Sequence, residues 1–165
     1  MELNQTMKLN SPVAISKEYI LSDFDCGVTS LNNWLSRKSL RNATKGFTQT
    51  FVVSSDNDLV VSYYSTAMGT IKRQNIPKTL QRNAPNEIPI AILCRLAVDI
   101  NHSGQGLGEA MLVNAIERIE NVSTQIGCAA ILVHYLDGMD KFYLQYGFID
   151  IGIENTLFLQ INSTH

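Results

Sequence analysis

A glycine-rich turn near the middle of the chain carries the most specific chemical signal. Residues 93–99 read L-C-R-L-A-V-D, and residues 103–108 read S-G-Q-G-L-G before a long amphipathic run. Such a junction of apolar strand, turn and helix start directs several backbone N–H groups to one point, at the positive end of the helix dipole. A pyrophosphate suits that point, so the sequence predicts a phosphorylated cofactor at this turn.

Two other phosphate-binding patterns fit these residues poorly. Gly104, Gly106 and Gly108 are spaced G-x-G-x-G, unlike the dinucleotide fingerprint G-x-G-x-x-G, and no acidic residue ends a strand about 20 residues later. No Gly-Lys-Ser/Thr follows, which excludes a P-loop for nucleoside triphosphates. The glycine spacing by itself is also compatible with a purely structural turn that binds no phosphate.

A second pattern, at residues 142–148, narrows the choice of cofactor. These residues read F-Y-L-Q-Y-G-F. Apolar strand, glycine turn and long helix, followed by a further strand and this short helix, resemble the GNAT acetyltransferase superfamily. Its later motif F-Y-x-x-x-G-F is matched letter for letter. Its acetyl-CoA motif, Arg/Gln-x-x-Gly-x-Gly/Ala, is matched at Gly106 and Gly108, with Ser103 in the first position.

The resemblance implies a site for acetyl-CoA as co-substrate, made by the strand end and the turn. The family's strand splays from its neighbour there, and the free N–H of Val98 is expected to hydrogen-bond the thioester oxygen. Because Ser103 is shorter than the family's Arg or Gln, we expect cofactor affinity to be reduced but not lost. The implied cofactor-binding residues are Leu96, Ala97, Val98, Ser103, Gly104, Gln105, Gly106, Leu107, Gly108 and Glu109.

By the same resemblance, Tyr143 is the candidate catalytic acid, close to the cofactor sulfur. An acceptor α-amino group has a pKa of about 8, and a neighbouring ester lowers it, so neutral pH requires no strong general base. A tyrosine of pKa about 10 is a weaker acid than a thiol of about 8.5. Tyr143 is therefore expected to donate a hydrogen bond that strengthens as the C–S bond breaks. The alternative is that Tyr143 only packs beside Phe142 and Tyr146.

Shorter matches extend the resemblance over nearly the whole chain. They are similar to the GNAT toxins of type II toxin–antitoxin modules. Such toxins acetylate the α-amino group of aminoacyl-tRNA, block translation, and are restrained by an antitoxin with a ribbon-helix-helix DNA-binding domain. The same analogy implies a homodimer. The matching segments are residues 24–27, 31–35, 50–53, 63–64, 88–89 and 95–99.

Two other functions stay open on the residues alone. One is acetylation of a protein N-terminus, a lysine or a small amine by the same class of enzyme. The other is binding of acetyl-CoA or an antitoxin without turnover. Ser103 favours this non-catalytic interpretation, whereas Tyr143 favours an enzyme.

A cluster of basic residues is the best candidate for a tRNA surface. Arg37, Arg41 and Lys45 fall along one side of a predicted helix, and Lys38 lies beside them. A run of this kind is ordinarily a solvated face. The resemblance implies that these four residues and Arg95 contact tRNA. The basic residues of the later loop are expected to contribute to the same contact: Lys72, Arg73, Lys78 and Arg82.

Length and composition limit the remaining possibilities. With 165 residues, of which 45% are hydrophobic, the chain fits a single domain over residues 1–165. A net charge of −2 confines any nucleic-acid contact to a local surface. The three widely spaced cysteines match neither a disulfide framework nor a zinc site, which predicts reduced core thiols, no metal and a cytoplasmic location. No apolar run reaches the roughly 20 residues of a membrane helix, and no signal peptide is visible.

The predicted fold is an α/β GNAT fold with a mixed, mostly antiparallel central sheet, a splayed strand pair and flanking helices. Asp25 and Asp99 are expected to hold turns, and Asp137 to cap a short helix. His134 is expected to be structural or to line a pocket, and His102 is expected to be solvated. The predicted strands are residues 12–19, 47–54, 59–68, 88–99, 128–135 and two or more within 148–161. Helices are predicted from a cap at Thr29-Ser30 to Gly46, from Leu107 past Ile119, from Met139 to Tyr146, and briefly within the loop 70–89.

Overall fold

The computed structural model of the protein describes residues 9–161. In this part of the chain seven strands form one sheet in the order β1-β2-β3-β4-β5-β7-β6. The β4–β5 pair is parallel, whereas the β1–β2, β5–β7 and β6–β7 pairs are antiparallel, as a mixed sheet requires. The strands are β1 (Val13–Ala14), β2 (Gln49–Ser54), β3 (Val60–Lys72), β4 (Glu87–Val98), β5 (Ala130–His134), β6 (Ile149–Asp150) and β7 (Thr156–Gln160).

The helices follow the predicted order. A first helical segment consists of α1 (Thr29–Trp34), one π-helical turn (Leu35–Ser39) and α2 (Leu40–Lys45), and it ends at Gly46 with φ +77°. Glycine adopts this left-handed conformation without strain, which is why it commonly terminates helices. The others are α3 (Lys78–Gln81), α4 (Leu107–Ser123) and α5 (Asp140–Leu144), with 3₁₀ turns at Arg73–Asn75 and Ile100–His102.

The chain divides into two compact units, and the first contains residues up to Ser65 together with Leu96–Leu112. Its core is centred on the fully buried Tyr63. The Tyr63 ring stacks on Trp34 at 6.0 Å between centroids and meets Phe24 edge-on at 5.4 Å, while its hydroxyl donates to the Leu31 carbonyl (2.8 Å). These contacts fix α1 against the β2–β3 hairpin.

The second unit contains Thr66–Arg95 together with residues from Val113 onward. Its core is apolar and rich in isoleucine, and along β4 and β5 the residues of this core are two positions apart, as expected where side chains alternate between the faces of a sheet. β4 pairs with β5 from Ile90↔Ala130 to Leu93↔Val133, and β4 itself runs on to Val98. The buried residues of this core are Ile71, Ile76, Ile88, Ile90, Ala130, Leu132 and Phe158.

Three local predictions are wrong. The first strand is only Val13–Ala14, because residues 16–19 form a turn in which the Tyr19 N–H donates to the Ser16 carbonyl. The first helix is preceded by Val28, and neither Thr29 nor Ser30 makes a side-chain cap. The short helix α5 likewise begins after Met139 without a side-chain cap. Asp137 instead accepts a hydrogen bond from the Asn155 amide (3.0 Å), which joins two loops.

Candidate functional site

The glycine-rich turn lies where the sequence predicts it, between β4 and α4. Gly104 and Gly106 have φ angles of +75° and +78°, so both occupy the left-handed region. L-residues are strained there, and the two glycines allow the chain to reverse within a few residues. Residues 103–106 are all exposed. The turn is therefore open to a ligand and is shaped by its backbone.

The first turn of α4 presents unpaired backbone donors. The Ala110 N–H donates to the Gly106 carbonyl (3.1 Å), which is the first bond of the helix. The N–H groups of Leu107, Gly108 and Glu109 precede it and have no acceptor within the helix, because helical bonds reach back four residues. This geometry, together with the helix dipole, favours a phosphate group. The Ser103 hydroxyl donates to the Ile100 carbonyl (3.0 Å).

The end of β4 leads directly into this turn. Ala97 is buried, and its carbonyl accepts a hydrogen bond from the Ser62 hydroxyl (2.8 Å), while Leu96 and Val98 are half-buried. Asp99 follows; its carboxylate accepts hydrogen bonds from the backbone N–H groups of Asp25 (3.0 Å) and Asn101 (2.9 Å). Asp99 thus holds a turn, and so does Asp25, whose carboxylate accepts from the Gly27 N–H (2.8 Å), as predicted.

Tyr143, in the second unit, is buried on α5. Its ring makes edge-on contacts with Phe142 at 5.0 Å and with Phe148 at 5.9 Å between centroids. Gly147 (φ +91°) turns the chain between α5 and Phe148, which explains the glycine of the F-Y-x-x-x-G-F pattern. Within residues 9–161 the Tyr143 hydroxyl makes no hydrogen bond, so it is available to a ligand atom.

Burial raises the pKa of Tyr143 to about 12. The folded protein keeps this proton where an unfolded chain, with a tyrosine pKa of about 10, gives it up. Consequently the ionisation of Tyr143 does not change the free energy of unfolding well below pH 10. As the pH rises from about 10 to 12, this ionisation lowers the free energy of unfolding. We expect wild type to lose roughly 1 kcal/mol relative to Tyr143→Phe between pH 8 and 11, measured by urea unfolding. A difference between the two proteins that stays constant with pH would contradict this prediction.

The predicted basic surface is exposed but differs in detail. Arg37, Lys38, Arg41 and Lys45 are all exposed on the first helical segment. Because Leu35–Ser39 is π-helical, with bonds that span five residues, Arg37 and Arg41 are not a simple i,i+4 pair, whereas Arg41 and Lys45 are. Arg95 is half-buried on β4 in the second unit.

Two histidines differ in environment. His134 Nδ1 lies 3.1 Å from the Thr156 hydroxyl at the end of β5, which supports the predicted structural role. The prediction for His102 is wrong: its Nδ1 is buried without a hydrogen bond, 3.8 Å from Asp99 Oδ1, because the 3₁₀ turn folds its ring inward. His102 and Asp99 line a cavity of about 410 Å³ in the first unit, near the β2–β3 turn, and none of the predicted cofactor-binding residues lines it.

Other kinds of site are absent from residues 9–161. The three cysteines are free, as predicted, but half-buried, and burial raises the pKa of each thiol, which opposes a nucleophilic role. No group of three or more His, Cys, Asp or Glu residues is placed to hold a metal ion in this range. Nor does this range contain a helix long and apolar enough to cross a membrane.

Comparisons with known proteins agree with this geometry. The model of the acetyltransferase (GNAT) domain family matches residues 22–157. A tRNA-acetylating toxin of Mycobacterium tuberculosis is 36% identical over 140 residues, which are 84% of this chain and 84% of that protein.

Solved structures share the fold. AtaT complexed with acetyl-methionyl-tRNAfMet has a TM-score of 0.85 and 26% identity, covering 93% of this chain and 95% of that chain. A Tyr-to-Phe mutant of the AtaT toxin, bound to the C-terminus of the antitoxin AtaR and acetyl-CoA, has a TM-score of 0.79 and 25% identity, covering 93% of each chain. The sheet, the two motifs and the family match all lead to the same conclusion: this chain belongs to the GNAT acetyltransferase family, where its relatives include tRNA-acetylating toxins.

Proposed function

We propose that this protein is a toxin that transfers the acetyl group of acetyl-CoA to the α-amino group of an aminoacyl-tRNA and so blocks translation. The observation that carries the proposal is the 36% identity with a tRNA-acetylating toxin over 84% of both chains. The neighbours that share its fold hold acetyl-CoA in one case and an acetylated aminoacyl-tRNA in another. The exposed turn, the buried tyrosine and the basic helix supply the corresponding chemistry.

Acetyl-CoA is held by the end of β4 and the turn. Backbone N–H groups of residues 105–109 hydrogen-bond the pyrophosphate, and Glu109 takes part through its N–H, since its carboxylate would repel phosphate. Ser103 contributes little with its side chain, because its hydroxyl already bonds the Ile100 carbonyl. Leu96, Ala97 and Val98 bind the pantetheine arm, and the Val98 N–H stabilises the oxyanion that forms on the thioester carbonyl.

The transfer then needs one proton to move from nitrogen to sulfur. The neutral amine attacks the thioester carbon, the new C–N bond forms, and the C–S bond breaks as the nitrogen loses a proton. Tyr143 donates a hydrogen bond to the departing sulfur. Because the pKa of Tyr143 is about 12 and that of a thiol is about 8.5, complete transfer of the tyrosine proton to the thiolate is uphill. The proton that the nitrogen loses therefore reaches the tyrosine oxygen as the tyrosine's own proton moves to the sulfur.

The basic surface of the first helical segment binds the tRNA phosphates. Arg37, Lys38, Arg41 and Lys45 supply it, and Arg95, on β4 in the second unit, is a separate candidate for a phosphate contact. We expect Arg41→Glu to weaken acetylation of charged tRNA and to lower the slope of log K against log salt by about 1, since one phosphate contact is lost. Acetyl-CoA affinity stays unchanged. Lys17→Glu reverses an exposed charge elsewhere and serves as control; equal effects of both variants would argue against this surface.

The protein works with partners. By analogy with the AtaT–AtaR complex, an antitoxin binds the toxin and inhibits it. This antitoxin carries a ribbon-helix-helix DNA-binding domain. The toxin is a homodimer, and residues 1–165 of each copy form a single domain. The reaction takes place in the cytoplasm, where charged tRNA is found.

The decisive experiment follows radiolabelled acetyl from acetyl-CoA into total charged tRNA, with wild type and Tyr143→Phe side by side. Label on a subset of tRNAs, lost in the variant, supports the proposal, and sequencing the labelled species identifies the amino acid. Bound acetyl-CoA without label on tRNA overturns the choice of acceptor in favour of a protein or small amine. The absence of turnover on any amine would leave a binding protein.

A further inference from the structure

Asp99 lies at the point where β4 enters the glycine-rich turn, and the chemistry above does not use it. It is 7% exposed, its N–H donates to the Val61 carbonyl (2.8 Å), and its carbonyl accepts from the His102 N–H (2.9 Å). Its two carboxylate oxygens accept from different partners: Oδ2 from the Asp25 N–H and Oδ1 from the Asn101 N–H. A single buried carboxylate thus ties the 3₁₀ turn to a loop distant in sequence.

That loop is itself fixed to α1. Asp25 Oδ1 accepts from the Gly27 N–H (2.8 Å) and from the Asn32 amide (3.0 Å), and Asn32 Oδ1 accepts from the Cys26 N–H (2.9 Å). The Ile100 N–H donates to the Asp25 carbonyl (2.8 Å), which closes the connection. The chain just before the turn is therefore held by side chains anchored in a helix, and not merely by its neighbours in sequence.

The turn has few other means of holding its position. Residues 103–106 are exposed, and a Cβ added at Gly104 would meet no atom within 4 Å. Downstream, α4 is anchored by the buried Met111 and Leu112. Upstream, the chain is anchored by the four hydrogen bonds of Asp99 and by the Ile100 N–H, which donates to the Asp25 carbonyl. The direction in which the turn points its N–H groups is consequently set by these two ends.

We propose that Asp99 is a positioning residue for acetyl-CoA, which aligns the donors of the turn by fixing its entry, with Asp25 and Asn32 as its support. The inference rests on the proposed function, since it takes the turn as the acetyl-CoA site. Hydrogen bonds to a charged group are stronger than neutral ones, and an amide at this position accepts only one of the two N–H groups. The other N–H then faces an amide NH₂ group.

The test compares Asp99→Asn with Asp150→Asn. Asp150 Oδ1 also accepts a turn N–H, from Gly152 (2.8 Å), so this variant matches the chemical change in the second unit. In Asp99→Asn we expect the Kd and KM for acetyl-CoA to rise about tenfold, with kcat at saturation within about twofold of wild type. Amide hydrogen exchange of residues 100–106 is also faster in the free protein. Asp150→Asn changes none of these quantities.

A merely structural Asp99 predicts a different result, a lower active fraction and kcat with an unchanged KM, and that result overturns the proposal. Should Asp99→Asn fail to fold, the variant Asn32→Ala removes the support of the loop and leaves Asp99 in place. A higher KM of Asn32→Ala for acetyl-CoA supports the proposal, and an unchanged KM overturns it. Wild type that binds no acetyl-CoA refutes the proposed function itself. Wild type and Asp99→Asn that bind it equally well refute only the role of Asp99.

Discussion

Tyr143→Phe is expected to slow acetyl transfer to charged tRNA by about 10²- to 10⁴-fold, the usual contribution of general acid–base catalysis. The substitution removes only the hydroxyl and keeps the ring that packs between Phe142 and Phe148. Because the hydroxyl has no hydrogen-bond partner among residues 9–161, its loss leaves no buried protein group unsatisfied. The free energy of unfolding at pH 7 should therefore not decrease, and the effect should appear in kcat.

Tyr146→Phe is the matched control for this variant. Tyr146 is half-buried just after α5 and meets Phe142 edge-on at 6.0 Å, but it is outside the motif positions that imply catalysis. We expect wild-type turnover from it, and an acetyl-CoA Kd close to wild type from both variants, measured by isothermal titration calorimetry. Equal turnover in Tyr143→Phe and wild type would show that Tyr143 only packs the second unit.

Gly106→Ala is expected to weaken acetyl-CoA binding by about 10- to 100-fold, since loss of a hydrogen bond to a charged group costs about 1.5–3 kcal/mol. At φ +78° an L-residue is strained by about 1–2 kcal/mol. A Cβ there would meet only Glu109 Oε2, at 4.0 Å, so the turn is free to relax away from the left-handed conformation. That relaxation moves the N–H groups of residues 105–109 away from their common point.

Gly46→Ala provides a control of equal backbone strain. Gly46 has φ +77° at the end of α2, and a Cβ there would meet no atom within 4 Å. Both variants should lose about 1–2 kcal/mol in the free energy of unfolding. Only Gly106→Ala should lose affinity for acetyl-CoA. If the two variants bound acetyl-CoA equally well, the turn would not be the pyrophosphate site.

Periodic segments of the sequence predicted their elements well, because burial of one face leaves a regular pattern. α4 begins at Leu107 as predicted, and Met111, Ala115 and Ile119 are buried along it. The β2–β3 hairpin likewise follows two β-rich runs separated by polar residues, with Asp58 at φ +60°. The GNAT fold was predicted correctly, since its two motifs stand in the right order on these elements.

The errors lie where contacts between distant residues decide the local conformation. Nothing in the residue types of Leu35–Ser39 distinguishes a π turn from an α-helix; the Ser39 hydroxyl, fully buried, bonds the Leu35 carbonyl (2.6 Å) in the folded chain. His102 looks like a solvated turn residue in the sequence, whereas the packing of the 3₁₀ turn buries its Nδ1. For Asp99 the sequence predicts only that it holds a turn. It does not predict the hydrogen bond from the Asp25 N–H, because Asp25 is far away in sequence.

The site residues divide in the same way. Tyr143 and the glycines belong to contiguous motifs, so their types and spacing can be recognised in the sequence. They lie on the short helix and on the turn that the sequence predicts. Their catalytic and cofactor-binding roles stay predictions until the variants above are measured. The support that Asn32 gives to the loop before α1 has no local pattern, and only the folded chain reveals it.

The two edge strands of the sheet, β1 and β6, are unusually short, because each contains only two residues. A long exposed margin would offer a row of free N–H and C=O groups as a template for strands of other molecules. Here that template is almost missing from the described part of the chain. Newly made copies that meet at high concentration are thereby less able to join edge to edge into aggregates.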